Sequence, residues 1–239
     1  METSCHCDGC EDRLCMHKIP ILSSLSKEDL VKISAMITHH IFKKGEILLR
    51  EGDRTDYIVI IHEGSAKAYK TTADGREQIL YVFTEGDFFG EQNLFRNNEA
   101  TYTVEALQTL KTCHLSKAQF EQLLYHYPGI ALKIIDELGS RMTRLETALQ
   151  SMGVRNVDNR IGGILLEFAA KYGSEEPAGT IIRLPLSREG IANYLGVARE
   201  TVSRKLSQLE NEGIILSRSN KEIIILNHGA LLNLAGDTV

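Results

Sequence analysis

Hydrophobic positions change their period several times along the chain. Over residues 20–42 they recur at helical spacing: Ser26 followed by Glu28 and Asp29 predicts an N-terminal cap, and Leu30, Ile33 and Ile37 carry an apolar face. Over residues 43–116 the apolar runs are short and alternating, cut by Gly45, Gly52, Gly64, Gly75, Gly86 and Gly90. That rhythm predicts several antiparallel strands joined by tight turns and closed into a barrel or sandwich. Residues 117–127 return to helix. Then Ile135, Leu138, Met142, Leu145, Leu149 and Met152 follow at spacings of 3, 4, 3, 4 and 3. This is a heptad seam, and it predicts a continuous helix over about residues 130–152 that pairs with a second copy of itself. Asp136, Glu137, Arg141, Arg144, Glu146 and Gln150 lie between the seam positions, so burial along a single line is expected.

Beyond this rod, residues 160–172 form another apolar-faced helix, and SEEPAG reads as a polar break into the strand TIIRLPL. Ser187 predicts the cap of a helix ending near Leu195, Gly196 the turn after it, and ARETVSRKLSQLENEG the next helix, closed by Gly213. This is helix-turn-helix spacing, and IILSRSNKEIIIL adds a hairpin that serves as a wing. Glu200, Ser203 and Arg204 share one face near the start of the second helix, beside Arg199. Alone, those four describe an ordinary solvated face. With the turn before and the wing after, they read as base contacts: an arginine pairs with guanine, a glutamate accepts from cytosine, and a serine hydroxyl bonds or touches thymine. The fold class expected is α+β, in four parts: a cysteine-rich segment at 1–19, an antiparallel β-roll of cupin-like jelly-roll type at 20–127, a dimerisation helix at 128–156, and a winged helix-turn-helix at 157–239.

Composition narrows the function. A length of 239 residues suits two domains, and a net charge of −5 excludes coating of nucleic acid or anionic membrane by charge alone. The N-terminus lacks the basic and apolar regions of a secretory signal, and no apolar run reaches the ~18 residues of a membrane span. A cytoplasmic location without membrane association is expected. No nucleophile–base–orienter set or phosphate loop is present, so an enzyme is not expected. Four of the five cysteines, Cys5, Cys7, Cys10 and Cys15, crowd into residues 5–15. Thiols at this density suit a soft metal, an iron-sulfur cluster or a dithiol switch rather than a disulfide framework. Gly9 lets the loop wrap an ion, and His6 and His17 flank it. The eight histidines are scattered along the sequence and suggest no further metal centre.

A glycine-punctuated roll, a dimerising helix and a C-terminal winged reader, in that order, resemble the CRP/FNR family of bacterial transcription regulators over nearly the whole chain. KKGEILLREGD, HEGSAKAY and GDFFGE are similar to that family's roll, and GVARETVSRKLSQLENEG to its recognition helix. The cysteine-rich N-terminus with one cysteine in the roll resembles the FNR-like branch. The resemblance implies an oxygen-labile [4Fe-4S] cluster held by Cys7, Cys10, Cys15 and Cys113, with Cys5 as the alternative to Cys7. It also implies a homodimer on a pseudo-palindromic double-stranded DNA operator, acting with RNA polymerase. Glu200, Ser203 and Arg204 match the FNR-like E-x-x-S-R pattern, whereas Arg199 is the residue that CRP-like proteins place before the glutamate. The arginine that a cyclic-nucleotide regulator needs near Ala100 and Thr101 is absent, and Arg96 stands four or five residues early, which disfavours cyclic AMP. The alternatives are a regulator of the same family with a thiol/disulfide switch or a structural zinc, or an electron-transfer iron-sulfur protein, for which a winged reader has no use.

Overall fold

The computed structural model describes residues 19–23, 25–92, 99–154 and 156–236, with the backbone alone for 144 and 147–154. After a 3-10 turn at Pro20–Leu22 come α1 (Lys27–Ser34), β1 (Thr38–Phe42), β2 (Ile47–Leu49), β3 (Tyr57–Glu63), β4 (Ser65–Thr71), β5 (Glu77–Thr84), β6 (Phe88–Phe89), β7 (Thr103–Ala106) and β8 (Leu110–Ser116). Then follow α2 (Lys117–His126), α3 (Pro128–Val154), α4 (Val157–Tyr172), β9 (Gly173–Glu176), β10 (Gly179–Arg183), α5 (Arg188–Leu195), α6 (Arg199–Asn211), β11 (Ile215–Ser219), β12 (Glu222–Ile225) and α7 (His228–Ala235). The chain divides into a first unit that reaches Arg141 and a second that begins at Met142 and also takes in Thr71–Ile79.

The first unit is layered because β3 is apolar on both faces. Ile58, Val59, Ile60 and Ile61 are all buried, and successive side chains of a strand point to opposite sides. β3 lies inside a sheet of order β1-β8-β3-β6, and a second sheet runs β2-β7-β4-β5. Val59 and Ile61 pack with Phe83, Phe89, Val104 and Leu110 in the core between the sheets. Ile58 and Ile60 face the other way, into a cluster with Phe88, Cys113 and Leu115 that is covered by Ile19, Ile21, Leu22, Leu30, Ile33, Phe120, Leu123, Ile130 and Ile134. The antiparallel roll is thus two stacked sheets with a helical layer on one outer face. Gly90, at φ +92°, brings the chain against β3 so closely that a Cβ there would lie 2.8 Å from the Tyr57 carbonyl oxygen.

Residues 20–42 are not one helix. α1 stops at Ser34 and Thr38–Phe42 is a strand whose backbone pairs with β8 from Thr38↔His114 to Phe42↔Leu110. Long-range pairing overrides a helical period that Ile37 continued only by coincidence. The cap itself is as expected: the Ser26 hydroxyl accepts from the Asp29 N–H.

In the second unit, α5 and α6 are joined through Gly196, at φ +64°, and the sheet order is β11-β12-β10-β9. The polar break expected at SEEPAG is instead partly strand: β9 pairs with β10, Glu175 opposite Thr180. All four β9 residues are exposed, so no apolar alternation marked it. Among the described residues no helix is long and apolar enough to cross a membrane.

Candidate functional site

Cys113 is fully buried on β8, between His39 of β1 and Ile60 of β3 in the strand register. Its Sγ lies 3.6 Å from His39 Nδ1. The side chain shares its cluster with Ile19, Ile21 and Leu22 from the start of the described chain and with Ile130 and Ile134 from the first turns of α3. Cys5, Cys7, Cys10 and Cys15 lie outside the described residues. On the opposite face of β8 from Cys113, histidines that are scattered in sequence meet: the His40 and His114 rings are 4.3 Å apart, and Tyr57 and His114 5.0 Å. Burial first, then His40 and His39, pushes the His114 imidazole down to about 3, so the ring is neutral and packs as an aromatic. Burial, followed by His62 and His40, also lowers His39. Among the described residues no group of three or more His, Cys, Asp or Glu side chains is arranged to hold a metal ion.

α3 has two apolar lines, one buried against the roll and one exposed. Ile130 and Ile134 are inside the roll's helical layer and Leu138 packs partly against it. Leu132, Ile135, Met142 and Leu145 are exposed at 69, 64, 62 and 41%. The side chains of Leu149 and Met152 lie outside those described. Arg141, expected on a solvated face, is 8% exposed. Its guanidinium donates to the Phe88 carbonyl at 2.8 Å and to Glu137 Oε1 at 3.1 Å, lies 3.6 Å from Glu91 Oε1, and covers the Phe88 ring at 4.6 Å. Glu91 Oε2 is buried without a hydrogen-bond partner. Burial pushes the Glu91 carboxyl up while Arg141 opposes that shift. The pattern EQ after Gly90 gave no hint of its partner, because Arg141 comes from an element fifty residues away (141 − 91).

The reader is held from within. The Ser187 hydroxyl accepts from the Gly190 N–H at 3.1 Å and starts α5. α6 buries Val202, Lys205, Leu206 and Leu209, leaving Arg199, Glu200 and Arg204 exposed and Ser203 partly so. The wing, β11 and β12, is tied to β9 by Arg218, whose Nη2 lies 3.2 Å from Glu176 Oε2. Sequence reasoning missed Lys205 as an inward residue, since a lysine after Arg204 reads as another basic surface group.

Residues 39–127 match the family described as cyclic nucleotide-binding domain, and residues 159–234 the Crp-like helix-turn-helix domain. The chain is 30% identical over 213 residues to a probable transcriptional regulator, flp, of Lacticaseibacillus casei, covering 89% of this chain and 94% of that one. It is 27% identical over 233 residues to the transcriptional activator protein FnrA of Stutzerimonas stutzeri, covering 97% and 93%. The solved structure of FixK2 from Bradyrhizobium japonicum is similar with a TM-score of 0.75 at 26% identity, over 85% of this chain and 99% of that one.

Proposed function

The chain belongs to the CRP/FNR family of DNA-binding transcription regulators, and from that premise we propose that its operator binding is governed by a thiolate-held [4Fe-4S] cluster in an anaerobic or redox response. One observation carries the reading: Cys113 opens into the same buried cluster that anchors Ile19, Ile21 and Leu22 and receives Ile130 and Ile134 of α3. Cys15 is four residues before Ile19, a reach of at most about 14 Å for an extended chain. The donor set fits the group: three closely spaced thiols, Cys7, Cys10 and Cys15, or Cys5 in place of Cys7, with one buried thiol beyond them. When bound, such a group supplies an oxygen-labile cross-link between soft thiolates.

The chain's own residues transmit the rest. Ile130 and Ile134 hold the first turns of α3 in the layer around Cys113, and Arg141 ties the same helix to Phe88 and Glu91 further along. Ile135, Met142 and Leu145 are exposed on a side of α3 that suits pairing with a second copy, and the heptad spacing carries on to Leu149 and Met152. Pairing sets the separation of two α6 helices on a pseudo-palindromic operator. Arg199, Glu200, Ser203 and Arg204 are then the base-contacting set, and RNA polymerase the partner on DNA. Cyclic nucleotide is disfavoured as effector, because no arginine stands at or beside Ala100 and Thr101 in the sequence.

The test is binding to a duplex selected from a random pool, measured by fluorescence anisotropy without oxygen and again after admitting air. Wild-type affinity should change on exposure to air and that of Cys113→Ser should not. Unchanged wild-type affinity would overturn the redox reading while leaving the DNA-binding assignment in place.

A further inference from the structure

α6 carries a lysine where a packed helix normally carries an apolar side chain. Val202, Leu206 and Leu209 make its inner face, and Lys205 joins them at 5% exposure. The Lys205 ammonium donates to Asp158 Oδ2 at 2.8 Å and to Gln208 Oε1 at 3.2 Å, and Gln208 in turn donates to Glu212 Oε1 at 2.6 Å. Asp158 stands in the first turn of α4, whose cap is the Asn156 side chain accepting from the Asn159 N–H. It follows the end of α3 by four residues (158 − 154).

An ammonium withdrawn from water is retained only where its donors are met, and its attraction to a carboxylate depends steeply on distance and direction. A purely apolar contact between α4 and α6 would tolerate sliding and rotation; a single charged bond at 2.8 Å fixes one register. Arg204, the neighbouring residue, is exposed, so a small rotation of α6 that breaks the Lys205 bond also re-aims Glu200, Ser203 and Arg204. We propose that Lys205 and Asp158 are a positioning pair that locks the recognition helix to the start of α4, and so sets operator discrimination, and that Lys205 is not a phosphate contact. This rests on α6 being the base-reading element.

The experiment uses the full-length protein with Lys205→Met, Asp158→Asn, the double variant Lys205→Met/Asp158→Asn, the reversal Lys205→Glu/Asp158→Lys, and Glu200→Ala as the control for reading by α6. Each is titrated with the duplex selected by the wild type and with a scrambled duplex, over a series of salt concentrations, after circular dichroism has established folding. Each single variant should lose about tenfold in selected-over-scrambled preference, the scale of one mismatched base pair. The slope of log affinity against log salt should stay that of the wild type. The double variant should be no worse than the worse single one, and the reversal should regain part of the preference. A slope shallower by about one charge in Lys205→Met, with Asp158→Asn unimpaired, would overturn the proposal in favour of a phosphate contact. Unchanged preference in folded variants with lowered melting temperature would overturn it in favour of stability alone. Glu200→Ala without loss of preference would show instead that α6 is not the reader, and the inference would fall with that reading.

Discussion

Arg141→Met removes the guanidinium of the α3 clamp and keeps a stem of similar volume. The variant loses the 2.8 Å hydrogen bond to the Phe88 carbonyl and the 3.1 Å bond to Glu137. Glu137 is 34% exposed and turns to water, so that pair contributes only ~0.5 kcal/mol. Glu91 is different, because its side chain is 4% exposed and Oε2 already has no partner. A buried carboxylate that loses its counter-charge costs about 3–5 kcal/mol. Protonation limits that cost: bringing a carboxyl from its ordinary value of 4.5 to neutrality at pH 7 takes at most ~3.4 kcal/mol, at 1.36 kcal/mol per unit. The loss at pH 7 is therefore at most ~4 kcal/mol, reduced by the part of the burial cost that Glu91 already bears beside Arg141. The sign with pH follows from linkage. In the variant the folded-state carboxyl is raised above its unfolded value, so it binds more protons when folded, and the penalty grows as pH rises and shrinks toward ~1 kcal/mol near pH 5. Urea unfolding followed by circular dichroism at fixed protein concentration measures it, since a dimer's stability depends on concentration. Adding Glu91→Gln should restore most of the loss at pH 7. A penalty below ~1 kcal/mol at pH 7, or one that acid does not relieve, would refute the reasoning.

Replacing Cys113 by Ser should abolish the visible absorbance of protein purified without oxygen while melting within a few degrees of wild type. Glu200→Ala and Arg204→Ala should each lower affinity for the selected duplex by ~1–3 kcal/mol and leave binding to scrambled DNA nearly unchanged, read by anisotropy. The pair Ile135→Glu/Met142→Glu should convert the dimer to monomer in sedimentation velocity, because both side chains are exposed on the seam side of α3 and cost the roll nothing. Apo-protein with the seam intact should still sediment as a dimer, and an apo-monomer would show that the cluster controls association itself.

Elements whose period matched their burial were legible in the sequence. The rod was expected at 130–152 and spans Pro128–Val154, the α5–Gly196–α6 turn was read from its cap and glycine, and the double-sided β3 explains the unbroken IVII run. What was not legible depended on partners distant in sequence. β1 looked helical until β8 paired with it, and β9 has no apolar residue to announce it. Arg141 and Lys205 are charged residues on faces that only the fold reveals as interior, and each is neutralised by a carboxylate about fifty residues away, Glu91 and Asp158. The meeting of His39 with Cys113 on one face of the sheet and of His40 with His114 on the other likewise follows from register rather than from spacing. Glu200 and Arg204, by contrast, needed only helical periodicity to be placed together on an exposed face.

The central claim is that four thiolates, Cys113 among them, hold an oxygen-labile iron-sulfur cluster in this regulator. It is tested most directly by the visible spectrum, iron and acid-labile sulfide of wild-type protein purified without oxygen, recorded before and after admitting air. The account predicts a brown protein with about four irons and four sulfides per chain, whose absorbance bleaches in air. A colourless protein carrying zinc, or no metal, would contradict it.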